Sequence, residues 1–237
     1  ESSLIQAVYK YVKYTGDKAF LNEVIDGHSV MVRMDMAINF LQQHRYAEQY
    51  GLLWGATTAD WGDIQPEHSW GVVMDENTHR AIDIYDNAMY VIALKNYLAL
   101  LPENDKGKAS IQGIITKTSA NIRQHLWDEK NTKFIPHIYL AGSPFPESFD
   151  ENTIYYHGGT AVAIEAGLLS PEEIKFSIEK MKQNVADSGA PSIGLTMYPT
   201  YPKGFFVHGV MIPYQYQNGG DWTWFGARMI QQLVRYG

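Results

Sequence analysis

Two stretches of the chain hold the residue types best suited to chemistry. The first reads Gly51-Leu52-Leu53-Trp54-Gly55 and then Ala59-Asp60-Trp61-Gly62-Asp63. Two carboxylates there flank a tryptophan, with a glycine between. The second reads Tyr214-Gln215-Tyr216-Gln217-Asn218-Gly219-Gly220-Asp221-Trp222-Thr223-Trp224. Cleavage of a glycosidic bond needs a carboxyl group near the glycosidic oxygen. It also profits from an aromatic platform, because a ring face stacks on the C–H face of a sugar while Tyr and Trp keep a polar handle for hydroxyls. Plainer roles compete at each position. An acidic loop can simply be solvated, aromatics can fill the core, and Asp221 stands where an N-cap of the last helix belongs. Asn-Gly-Gly makes a sharp turn and lets the backbone approach a ligand.

Composition narrows the partners. The 237 residues are enough to bury a sizeable core, and 45% hydrophobic with 19% charged side chains is the balance of a folded domain. The net charge of −7 comes with no basic stripe, so nucleic acid is a poor partner. No apolar run approaches the ~20 residues that span a bilayer. Cysteine is absent, which removes disulfides and thiolate metal sites. Asp60, Asp63, Glu67 and His68 are the one loose metal-like grouping, and surface loops hold such groups routinely. Neither a metal nor a cofactor is expected, and no phosphate-binding glycine motif is present.

The elements that must position these residues follow from periodicity. Helical spacing runs over residues 3–15, a short stretch near 20–25, and 28–48. It returns at 79–100, 107–127, 157–168, 171–187 and 221–236, where Ser170-Pro171-Glu172-Glu173 is a strong helix start. The 79–100 helix is apolar on most sides. Asp83, Asp86, Asn87 and Tyr90 fall at i, i+3, i+4 and i+7, which puts them on one face. Residues 134–140 alternate as a short extended segment. Residues 51–76 and 188–220 are long aromatic loops, and long loops in compact domains are usually functional. About eight helices without βαβ alternation predict an all-α fold of helical hairpins, one domain over 1–237, with both long loops at one end.

The ordered set "ESSLIQAVYKYVKYTGDKAFL", "GLLWGATTADWGD", "NTHRAIDIYDNAMYVIALKNYL" and "YQNGGDWTWFGARMIQQLVRYG" resembles the six-hairpin glycosidase superfamily, nearest its cellobiose-phosphorylase and glycogen-debranching-like branches. The resemblance covers nearly the whole chain. It implies an (α/α) toroid, here a partial ring of about eight helices lacking its N-terminal hairpins. An apolar edge left by the missing helices would associate with another chain or fragment. The general acid of the phosphorylases' Asp-Trp-Asn-Asp loop falls on Asp63, and the sugar-holding residues before it fall on Asp60 and Trp61. Gly62 replaces the Asn of that motif. The phosphate-binding His that follows Asn-Gly-Gly in the phosphorylases is missing from Asp221-Trp222-Thr223-Trp224, which favours hydrolysis over phosphorolysis.

The expected function is therefore hydrolysis of an oligosaccharide, with Asp63 as acid and Asp221 as partner carboxylate. Glu147 is the fallback, and a cap role for Asp221 stays open. Inversion would require the two carboxyl groups ~6.5–9.5 Å apart. Substrate contacts are expected from Trp54, Asp60, Trp61, Asp86, Tyr214, Tyr216, Gln217 and Trp222. Phosphorolysis is the alternative chemistry, and a non-catalytic sugar-binding protein is the alternative class.

Overall fold

The computed structural model describes residues 1–71 and 73–236. Val72, inside the expected first loop, and Gly237, the last residue of the expected domain, lie outside the described residues. Among the described residues seven α-helices form the scaffold: α1 (Ser2–Thr15), α2 (Val30–His44), α3 (Ile84–Leu100), α4 (Lys108–Leu126), α5 (His157–Ala166), α6 (Pro171–Ser188) and α7 (Thr223–Tyr236). α1, α3, α5 and α7 pack side by side in that order. α2 lies against α1, α4 against α3, and α6 against both α5 and α7.

The strands are short. They are β1 (Val24–Ile25), β2 (His28–Ser29), β3 (Tyr46–Ala47), β4 (Leu52–Leu53), β5 (Gly55–Ala56) and β6 (Arg80–Ile82). β7 (Trp127–Asp128), β8 (Lys133–Phe134), β9 (Ile138–Tyr139), β10 (Tyr155–Tyr156) and β11 (Met197–Tyr198) follow. They pair as five small antiparallel sheets, of which β5-β6-β9 has three strands. Its register sets Gly55 opposite Ala81, Ala81 opposite Tyr139, and Ile82 opposite Ile138.

This corrects the all-α expectation. The protein is mixed α/β, with 49% helix and 11% strand, and is not an all-α toroid of about eight helices. The physical reason is legible. A strand of two residues has no period for a pattern to reveal, so β3, β4 and β5 passed as loop or as an extension of helix. The eighth helix, near 20–25, is a single 3-10 turn over Ala19–Asn22 followed by β1.

α3 is the central element. Asp83 caps it, with Oδ1 accepting the Asp86 N–H at 2.8 Å. It ends just before Pro102, as the residue ahead of a proline leaves the helical region. Ile84, Ala88, Val91, Ala93 and Leu94 are fully buried, and the helix joins α1, α4 and α5 in the main core. A second, smaller core of Ala59, Ile64, Phe145, Ile154, Tyr156, Met197, Tyr201, Phe206 and Met211 lies under the loops.

Candidate active site

The start of α3 builds a cleft. One hollow of about 480 Å³ takes in Arg45, Trp54, Gly55, Met74, Tyr85 and Asp86. A smaller one of about 130 Å³ takes in Gly55, Asp60, Trp61, Met74, Asp83, Tyr85 and Asp86. The two hollows adjoin, with Gly55, Met74, Tyr85 and Asp86 in the walls of both. The cleft floor is fixed by Asn87, one turn into α3 and fully buried. Asn87 Oδ1 accepts the Leu53 N–H at 2.8 Å, and its Nδ2 donates to the Leu53 and Asp83 carbonyls, both at 2.9 Å. The chain at β4–β5 is thereby clamped to the helix. Gly55 leaves room for Asp86, since a Cβ there would stand 2.7 Å from Asp86 Oδ2 and the carboxyl group would have to turn away.

Asp60 forms the far wall. Its backbone is left-handed, with φ 53°, an uncommon setting for a non-glycine residue. The carboxylate reaches the N-terminus of α5, where Oδ2 accepts the Gly158 N–H at 2.6 Å and Oδ1 the Gly159 N–H at 2.8 Å. Orphan N–H groups and the helix dipole both favour an anion there. Gly158 is required for the approach, since a Cβ would lie 2.4 Å from Asp60 Oδ2.

Three carboxyl groups thus crowd one cleft, and all three hold their protons more tightly than an ordinary aspartate. Burial pushes Asp60 up to about 8 against the pull of its two backbone N–H donors. Burial, with the charge of Asp86 beside it, pushes Asp83 well up. Burial also raises Asp86, against the opposing pull of Arg45 and His137. Asp86 differs from the other two in access. Asp60 and Asp83 are buried, whereas Asp86 is exposed along the cleft although protein surrounds it on the remaining sides.

The two long loops meet at this end. Gln217 Nε2 donates to Asp63 Oδ1 at 2.7 Å, the Asp63 N–H donates to Gln217 Oε1 at 3.0 Å, and Tyr216 Oη donates to Asp63 Oδ1 at 3.3 Å. Trp61 joins the loops to α7 by edge packing on Trp222 at 5.1 Å and tilted packing on Trp224 at 5.2 Å. Tyr214 and Tyr216 both have left-handed backbones, and Tyr214 is exposed. Asn218 is buried, accepting the Tyr201 N–H and donating to the Tyr201 and Met211 carbonyls.

Of the residues singled out by sequence, Trp54, Asp60, Trp61 and Asp86 line the cleft. Asp63, Tyr214, Tyr216, Gln217, Asp221 and Trp222 line neither hollow. Asp63 is solvent-exposed. So is Asp221, whose carboxylate accepts the Ser192 N–H at 3.0 Å and the Ser192 hydroxyl at 2.8 Å. Glu147 is exposed in its loop. Two cations pack on Trp54, with the Arg45 guanidinium 4.8 Å and the Arg80 guanidinium 4.7 Å from its ring centre.

Sequence reasoning missed Arg45, Met74 and Tyr85 as cleft residues. It placed Asp83 on the polar face of α3 without a role. A second polar cluster was missed altogether. Glu151 Oε1 accepts from His137 Nδ1 at 2.9 Å, from Tyr139 Oη at 2.9 Å and from Tyr201 Oη at 2.5 Å. Burial pushes the Glu151 carboxyl up, but these donors outweigh it and hold it below the usual range. The alternation of His137 and Tyr139 was the available signal, as both point to one side of a strand. His157 is buried beside Asn184, which donates to its Nε2 at 3.0 Å, and burial lowers its imidazole to about 3. Among the described residues no group of three or more His, Asp and Glu side chains is arranged to hold a metal ion. No described helix is long and apolar enough to cross a membrane.

No protein-family model matches the chain, and a search of curated proteins returned no match.

Proposed function

We infer that the protein is a glycoside hydrolase acting on an oligosaccharide bound along the Trp54–Trp61 cleft, with Asp86 as the proton donor. The observation that carries this reading is the state of Asp86: open to the cleft, yet raised by the protein around it. A general acid must reach its leaving group and still hold a proton at working pH, and burial beside a second carboxyl is the usual way to arrange that. The ordered motifs shared with six-hairpin glycosidases add support. That resemblance gives the acid role to Asp63, but Asp63 lies outside both hollows, whereas Asp86 lines both. Trp61 and Tyr85 offer apolar faces beside it.

A panel of aryl glycosides and unactivated oligosaccharides, assayed with and without phosphate, tests this. Turnover without phosphate is expected. Asp86→Asn should lower kcat about 100-fold or more on unactivated substrates, and much less on aryl glycosides whose leaving group needs no proton. Undiminished hydrolysis of an unactivated oligosaccharide by Asp86→Asn would sink the assignment. Strict dependence on phosphate would turn the reading to phosphorolysis.

A further inference from the structure

We propose that the cleft selects an acidic oligosaccharide, with Arg45 binding the carboxylate of a uronic acid unit. This rests on the reading of the cleft as a saccharide site and names its substrate class. Arg45 immediately follows α2 and lines the larger hollow together with Trp54. Its guanidinium lies 4.8 Å from the Trp54 ring centre and 6.0 Å from that of Phe40, so two aromatic rings hold it in place. The Arg80 guanidinium also packs on Trp54, 4.7 Å from its ring centre. With two guanidinium groups packed on it, the indole is a poor platform for a sugar ring and a good brace for a guanidinium.

The second observation is the missing counter-charge. The arginine ion pairs among the described residues are made by Arg123 and Arg228, with none at Arg45 or Arg80. Asp86 and Glu1 share the hollow with Arg45, but neither is within ion-pairing distance of it. A guanidinium braced by aromatics presents a planar fork of N–H donors, the geometry that pairs bidentately with a carboxylate. The chain as a whole carries a charge of −7, so general attraction does not bring an anion here. A local cation must do so. Asp86 holds its proton to higher pH than an ordinary aspartate, which removes its charge as an obstacle. The uronate then sits at the Arg45 end, with the bond to be broken extending toward Asp86.

The test uses uronate trimers of galacturonate, glucuronate-containing and mannuronate type, each against its own methyl ester, which keeps the skeleton and removes the charge. A sulfated neutral oligosaccharide is the third arm. Binding is measured by calorimetry at about 20 mM and about 500 mM salt. At least one acid should bind about tenfold tighter than its ester at low salt, the size of one charge-assisted bidentate contact. Arg45→Gln should reduce that preference to about twofold or less while leaving ester binding within about twofold. Arg45→Lys, which keeps the charge and loses the fork, should retain part of the preference and guards against a folding defect in the glutamine variant. Arg80→Gln should leave it largely intact. Equal binding of acid and ester overturns the proposal, as does a preference that survives Arg45→Gln or one lost only in Arg80→Gln. A stronger preference for the sulfate ester overturns the uronate assignment. Binding or turnover of neutral sugars without acid preference sinks this inference alone, whereas failure of every saccharide to bind sinks the hydrolase reading with it.

Discussion

Asp60, Asp83 and Asp86 crowd one hollow with few donors between them, whereas Glu151 stands alone among three. In the cleft, Asp83 accepts one backbone N–H and Asp60 two, and burial outweighs these bonds, so the carboxyl groups hold their protons. Around Glu151, the ring N–H of His137 and two phenol hydroxyls replace the lost water, and the carboxyl stays ionised. The two clusters are neighbours, since Ile82 pairs with Ile138 and Asp83 and His137 stand next to them, just beyond the paired ends of β6 and β9. The contrast lies in compensation and in access. A buried anion with every lone pair used is a brace. A carboxyl that is raised and also open to a cleft is equipped to exchange a proton with a ligand.

Substitution separates the two regions. Asp86→Asn is expected to give the largest functional loss, as argued above, with little change in the unfolding midpoint, because Asp86 is exposed and its side chain anchors no backbone. Glu151→Gln should do the opposite. It removes a buried anion that satisfies three donors, and loss of one partner from such a buried group costs about 3–5 kcal/mol. Urea unfolding followed by circular dichroism measures this. If Glu151→Gln keeps its stability and loses turnover, the two regions have exchanged roles.

Asn87→Ala and Asp60→Asn test the walls of the cleft. Asn87 satisfies both the N–H and the carbonyl of Leu53 from a fully buried position. Its loss should cost about 2–3 kcal/mol and free the β4–β5 segment to exchange its amide hydrogens faster. Asp60→Asn puts an amide N–H against the N–H of Gly158 or Gly159 and should cost about 1–3 kcal/mol.

Asp60 also sets a pH dependence, with a definite sign. In the unfolded chain an aspartate loses its proton near ~4. In the folded protein Asp60 keeps its proton up to about 8. Between those values the native state binds the extra proton, so this group's contribution favours folding most below about 4 and diminishes as pH rises toward about 8. Asp83 and Asp86, both raised, act in the same direction. Unfolding midpoints measured across that range should fall more steeply for the native sequence than for Asp60→Asn. Parallel curves would show that Asp60 is ionised throughout, with the α5 N-terminus outweighing burial.

How much of this was legible depended on the length scale of the signal. α4, α6 and α7 repeat apolar residues over many turns, and their limits follow the periodicity closely, whereas α3 starts five residues later than the expected 79 because Arg80–Ile82 form β6. The Ser170 capping box is present as its four residues imply, with reciprocal bonds between Ser170 and Glu173. The two-residue strands have no comparable signal, and they turn an all-α expectation into a mixed fold. In the site, Asp86 stood out because a polar face on an apolar helix must be used for something. Arg45 did not, because its function depends on Trp54 and Phe40 closing around it in space. Glu151 sat in a loop whose acids look alike in sequence. Only folding distinguishes the one beneath three donors from Glu147, which is solvated.

The smallest effect is expected at Asp221, and it bears on what the last turn before α7 is for. A residue so close to the start of a helix reads as its N-cap, but the carboxylate reaches back 29 residues to accept both the N–H and the hydroxyl of Ser192. It thereby pins the Ser192–Gly194 turn to the α7 approach, where the Trp222 N–H also donates to the Gly194 carbonyl at 2.9 Å. Gly194 is packed under the same carboxylate, and a Cβ there would lie 2.6 Å from Asp221 Oδ1. Asp221→Asn keeps one acceptor for Ser192 and loses the charge, at an exposed position where water competes for both groups. The midpoint of thermal unfolding should therefore fall by only about 1–4 °C. If the cleft around Asp86 does the chemistry, kcat on any substrate the protein turns over should stay within about twofold, since a surface contact outside the cleft contributes no transition-state binding. A loss of 100-fold or more with an unchanged midpoint would move the second carboxyl of the reaction to Asp221. The comparison would then have to be redrawn, with the Ser192 turn belonging to the active site.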